Sequence, residues 1–120
     1  MYGNADMTHL AHSFLFTLFS SILAVVPIQV QDEKGNRVNA MIYVKTHPGR
    51  VELTNGPAIK GVYLLDIDAI KNQVAAKEKI VIFVYPASPE DKKLFRTIAP
   101  QYDAVDLVKK KDLTITLSKR

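Results

Sequence analysis

Apolar and polar positions sort into two regimes along this chain. Between Asp6 and Asp32 there is no charged residue, and the stretch 13–28 (SFLFTLFSSILAVVPI) is mostly apolar. Phased at about 3.6 residues per turn, Leu10, Ala11, Phe14, Leu15, Leu18, Phe19, Ile22, Val25 and Val26 share one face, and His9, His12, Ser13, Thr17, Ser20 and Ser21 the opposite one. This predicts a long N-terminal apolar helix over 8–26, preceded by a flexible lead-in at 1–7. From Ile28 the period falls to two. Ile28 and Val30 alternate with Gln29 and Gln31, a polar turn follows at 32–37, and Val38, Ala40, Ile42 and Val44 resume the alternation, which predicts a β-hairpin.

The segment 46–61 is rich in turn residues, with His47-Pro48-Gly49 and Asn55-Gly56-Pro57 around a short strand at 50–53. The run 62–67 reads as a strand covered on both faces. Asp68 is placed to cap a helix over 69–78, and 79–85 (KIVIFVY) reads as the central strand. Ser88-Pro89-Glu90-Asp91 combines an N-cap, a proline at the first helical position and first-turn acids, so a helix should run to about Ile98. Strands at 102–108 and 113–117 complete the order. The predicted class is α/β (α+β): a mixed β-sheet with the long N-terminal apolar helix, a hairpin and then β-α-β-α-β-β, forming a single domain over 8–120.

Composition adds three constraints. At 120 residues and 48% apolar, the chain can bury a core without cross-links. It has no cysteine, which excludes a disulfide framework and thiolate zinc sites and suits a cytoplasmic protein. Its net charge of +4, with a pI near 9.3, favours anionic partners such as nucleic acid or acidic membrane surfaces. The run 8–26 is long enough for a membrane span. However, its polar residues are sorted to one face, it has no preceding Lys or Arg, and it runs straight into Pro27. A soluble core helix is the expectation, and a membrane-anchored or assembly-forming helix is the alternative.

Candidate chemistry falls into three groups. Asp66 and Asp68 sit where a buried strand meets a helix and could share a divalent cation through oxygen ligands, although capping accounts for such a pair more simply. The element order there resembles the core of restriction-endonuclease-like nucleases, but the matching positions hold Asn39 and Asp66-Ile67-Asp68, without the Lys of that motif. His9 and His12 lie one turn apart on the polar helix face and would need a third ligand to hold a metal, and nothing nearby in sequence fixes His47.

Residues 11–53, from Ala11-His12 through Ser20-Ser21-Ile22-Leu23 to Gly35-Asn36-Arg37 and Pro48, together with 62–67, resemble the helix-hairpin portion and closing strand of small archaeal-virus anti-CRISPR ring nucleases. The resemblance implies a homodimer that cleaves a cyclic oligoadenylate without metal, as a phosphodiesterase with His12 as the catalytic histidine. The chain departs from that pattern in several places. Ala11 replaces the preceding glycine, Phe14-Leu15 replaces a Ser/Thr pair, and Thr46 aligns with the substrate-clamping arginine. The family's first strand is missing, and 68–120 has no counterpart.

The third group is basic. Lys109, Lys110 and Lys111 are expected at a hairpin tip, with Lys92, Lys93 and Arg96 on the exposed side of the preceding helix, which together would bind phosphates. Hairpin-tip lysines also serve solubility and protect edge strands. In sequence the basic residues have no aromatic ladder interleaved with them, nor a recognition-helix pattern or a glycine-rich phosphate loop, so sequence-specific DNA reading is not expected. Phe16 and Leu23, seven residues apart on the polar helix face, predict a homodimer interface. The combined expectation is a small basic homodimer that binds nucleic acid or an oligonucleotide, with no cofactor beyond a divalent cation at the two aspartates.

Overall fold

The computed structural model describes residues 24–47, 49 and 51–120. Strand β1 (Val25–Gln31) leads into β2 (Ala40–Thr46), β3 (Glu52–Ala58) and β4 (Val62–Asp66). Helix α1 (Ile67–Gln73), β5 (Lys79–Pro86), α2 (Pro89–Leu94), β6 (Gln101–Asp103), α3 (Ala104–Leu107) and β7 (Leu113–Thr116) follow. The strands form two sheets rather than the single mixed sheet expected. One has the order β4-β1-β7, with β1 antiparallel to β4 and parallel to β7. The other, β3-β2-β5-β6, is antiparallel throughout, with β5 at an interior position as expected.

Alternation explains how the two sheets share a core. Val26, Ile28 and Val30 of β1 and Leu65 of β4 point inward from the three-stranded sheet, against Ala40, Ile42 and Val44 of β2 and Ile80, Ile82 and Val84 of β5. Ile70 of α1 and Leu107 of α3 join the same cluster. Among the described residues the architecture is a β-sandwich of α+β composition with three short helices, and it corrects the expected long-helix arrangement. Val25 and Val26, placed in that helix by phase, belong to β1. Ala24 precedes that strand outside any helix, and residues 8–23 of the predicted helix lie outside the described residues. Among the described residues no helix is long and apolar enough to cross a membrane.

The expected hairpin is a corner between sheets. Asp32 closes the turn by accepting the backbone N–H groups of Lys34 and Asn36, each at 2.9 Å. The Asn36 N–H, foremost among these contacts, holds the Asp32 carboxyl below its ordinary value. Beyond the turn β1 and β2 share only the Gln31–Arg37 bridge and the Val38 N–H donated to the Val30 carbonyl at 3.0 Å, then part into different sheets. Both strands alternate because both face the core, from opposite sides.

Other corrections have similarly local causes. Asn55-Gly56-Pro57 is part of β3 rather than a loop; β3 is an edge strand, where proline is tolerated. Gly56 lies under the ring of Tyr63, whose hydroxyl meets Thr54 Oγ1 at 2.9 Å across the two sheets. Strand β4 is not covered on both faces, for Leu64 is 60% exposed. Helix α2 is capped by Ser88, whose Oγ accepts the Asp91 N–H at 3.0 Å, as expected, but it stops at Leu94. There Phe95 turns extended, bridges Lys119 and buries its ring in the core. The predicted strand at 102–108 divides into β6 and α3, and β7 pairs with β1 instead of β6, so Lys109, Lys110 and Lys111 follow a helix and occupy no hairpin tip.

Candidate binding face on the four-stranded sheet

The off-phase residues of β2 and β5 build the most chemically distinctive surface of the described chain. Inward positions on these strands are aliphatic. The outward positions are Met41, Tyr43 and Lys45 on β2 and Lys79, Val81, Phe83 and Tyr85 on β5, with Val81 itself buried. Register sets Met41 opposite Tyr85 and Tyr43 opposite Phe83, so the rings converge. Tyr43 meets Tyr85 edge-to-face, with centroids 5.6 Å apart at 83°. Phe83 and Tyr85, two residues apart on one strand, lie nearly parallel at 12° with centroids 6.3 Å apart. The Lys45 ammonium sits over two rings, 5.8 Å from the Tyr43 centroid and 5.2 Å from that of Phe83.

Met41, Tyr43, Lys45, Glu52, Tyr85 and Lys92 line an open groove of about 410 Å³. Lys92 comes from the last turn of α2, which the C-terminal segment holds in place: Arg120 Nε donates to the Lys92 carbonyl at 2.8 Å. Glu52 lies beyond an irregularity in the β2–β3 register, and its carboxylate accepts the Asn55 side-chain amide. Lys45 and Glu52 are register partners. The ion pair found among the described residues is a different one, Lys79 to Asp103 at 3.0 Å. The groove therefore presents aromatic faces and edges beside two ammonium groups and one carboxylate.

The residues singled out from the sequence are placed as follows. Lys92, Lys93 and Arg96 cluster at α2 with Lys119 and Arg120, since Phe95 bridges Lys119 and the Arg96 N–H donates to the Ser118 carbonyl at 3.0 Å. Lys109, Lys110 and Lys111 precede β7 and Lys119 follows it, so the strand runs between the two basic groups and does not merge them. Asp66, rather than Asp68, caps α1: its Oδ1 accepts the N–H groups of Asp68 at 2.9 Å and Ala69 at 3.3 Å. That use of the carboxylate follows from the position of Asp66 as N-cap. Among the described residues no group of three or more His, Asp or Glu side chains is arranged to hold a metal ion. His12, Phe16 and Leu23 lie outside the described residues, as does His9.

Asn39, which stands at an acidic position of the nuclease pattern, has a structural role. Its Oδ1 accepts the Gly61 N–H at 3.2 Å and its carbonyl the Ala87 N–H at 3.0 Å. The sequence reading missed Tyr43, Lys45, Phe83 and Tyr85. Their signal lay in the outward phase of two strands, where aromatic side chains stand in place of the usual polar ones. A smaller, apolar groove of about 250 Å³ lies between α1 and α3, lined by Ile70, Val74, Ala104 and Val105 among others. No protein family, curated protein or solved structure matches the chain.

Proposed function

We propose that the protein is a binding module for single-stranded nucleic acid or oligonucleotides, which lie across the outer face of the four-stranded sheet. The observation that carries this reading is the convergence of Tyr43 and Tyr85 with Lys45 and Lys92 on one groove, with Phe83 beside it, stacked on Tyr85 and under the Lys45 ammonium. Every base has a π-face, so stacking on such rings is tolerant of sequence and contributes about 1–3 kcal/mol per base. Lys45 and Lys92 supply positive charge for the intervening phosphates, and the basic cluster of Lys93, Arg96, Lys119 and Arg120 extends that charge along α2. The overall net charge of +4 acts in the same direction at long range.

Fluorescence anisotropy of a labelled thymidine dodecamer tests this. Two phosphates neutralised by Lys45 and Lys92 give a salt slope, log K against log salt, of about −1.4 at roughly 0.7 per phosphate on single strands. The double substitution Lys92→Glu/Lys93→Glu should weaken binding, and charge reversal of Lys109, Lys110 and Lys111 should change it much less. Absence of salt-dependent binding, or equal loss from both sets of reversals, would remove the sheet face from consideration. Tight binding of a neutral oligosaccharide in place of the dodecamer would assign the rings to sugar stacking instead.

A further inference from the structure

We propose that Lys45 is the specificity-determining residue of this face: it covers the rings in the free protein and admits ligands that carry phosphate over neutral ones. The inference rests on the nucleic-acid reading above. Its ammonium sits over the Tyr43 and Phe83 rings at 5.8 and 5.2 Å, and these are the faces on which a base would stack. The side chain is half-buried and lines the groove. A ring system that stacks on Tyr43 or Phe83 must therefore displace it, with loss of two cation–π contacts.

What replaces those contacts decides which ligand is accepted. A neutral planar ligand gives the displaced ammonium no counter-charge, so the lost contacts are not recovered. A phosphodiester places an anionic oxygen beside each base, and a lysine swung from the ring face can donate a charge-assisted hydrogen bond to it. Glu52, the register partner of Lys45, acts in the opposite sense: its carboxylate disfavours an anion at the groove, so acceptance of phosphate depends on Lys45 and Lys92 offsetting it. Lys45 thus links occupation of the rings to the presence of phosphate, and the rings alone would accept any flat apolar group.

The test compares a thymidine hexamer with the same hexamer on an uncharged methylphosphonate backbone, for wild type and Lys45→Ala. Wild type should prefer the phosphodiester. Lys45→Ala uncovers the rings and should tighten the uncharged hexamer by about threefold to tenfold, the equivalent of one modest cation–π contact. The same variant should not tighten the phosphodiester, so the preference between the two collapses. If Lys45→Ala weakens both hexamers equally, Lys45 is a structural support and the proposal falls, with the binding reading left standing. If wild type binds neither hexamer, both readings fall. A second readout needs no variant: the Lys45 ε-methylene protons should be shifted upfield by the rings in the free protein and move downfield as the phosphodiester is added. Unmoved ε-protons during saturable binding would overturn the proposal.

Discussion

Replacing Tyr85 with alanine should weaken binding of a thymidine dodecamer by roughly fivefold to a hundredfold, since base–aromatic stacking contributes about 1–3 kcal/mol per base. Tyr85 is the most informative ring to remove. It touches both other rings, edge-to-face with Tyr43 and nearly parallel with Phe83. It is also 37% exposed and outside the core cluster, so its truncation should leave the fold intact. Controls separate the contributions. Tyr85→Phe keeps the π-face and should bind within about twofold of wild type, because stacking makes no use of the hydroxyl. Tyr85→Leu keeps apolar bulk without the π-face and should be as weak as Tyr85→Ala. Unfolding midpoints in urea establish that each variant is folded. Wild-type affinity in Tyr85→Ala would mean that the rings are packing alone.

The second large effect concerns the fold that aims this face. Gly61→Ala should destabilise the protein by about 2–4 kcal/mol, in the upper range for single substitutions. Lys60 and Gly61 both have positive φ, 56° and 76°, in the tight turn that carries the chain from β3 to β4. A Cβ on Gly61 would lie 2.8 Å from Arg37 Cβ and 2.9 Å from the Val30 carbonyl oxygen, so it meets backbone in addition to a strained φ. The same residue donates to Asn39 Oδ1 and accepts from the Val30 N–H at 2.7 Å, and relaxation of the clash would loosen both. Gly35→Ala isolates the conformational part. Gly35 has φ of 86° with open space where a Cβ would go, so only the left-handed penalty of about 1–2 kcal/mol applies. A shift in urea midpoint much larger for Gly61→Ala than for Gly35→Ala is the expected result. Equal shifts would mean that the corner between the sheets gives way easily.

The sequence conveyed local chemistry better than global arrangement. Ser88-Pro89 is a helix start in the structure because capping is decided within four residues, and the turn at 32–36 forms because Asp32 satisfies two nearby amides. Alternation identified the strands but not their partners. The inward positions of β1 and β2 look the same whether the strands are neighbours or face one another across a core, so the corner at Gln31–Arg37 read as a hairpin. The parallel pairing of β1 with β7 joins the two ends of the described chain, and no local pattern announces it. Asn55-Gly56-Pro57 carries turn chemistry, yet it lies in an edge strand because Tyr63 needs the space above Gly56 and the edge spares the Pro57 nitrogen.

The candidate face was hidden for a related reason. Met41, Tyr43 and Lys45 are separated from Phe83 and Tyr85 by about forty residues, and only the β2–β5 register brings them together. Basic residues close in sequence attracted attention, yet β7 runs between Lys109, Lys110 and Lys111 and the cluster at α2. The two lysines that line the groove come from different elements, Lys45 from β2 and Lys92 from α2. The capping of α1 by Asp66 in place of Asp68 shows the same limit on a smaller scale: a shift of two residues in the helix start transfers the cap to the other carboxylate.

Amide chemical shifts recorded while a thymidine hexamer is titrated into the full chain at low salt test the central claim most directly. The account predicts saturable shifts confined to 41–45, 83–87 and the region of Lys92, fading as salt is raised. Shifts centred on Lys109, Lys110 and Lys111, or an unchanged spectrum at saturating hexamer, would contradict it.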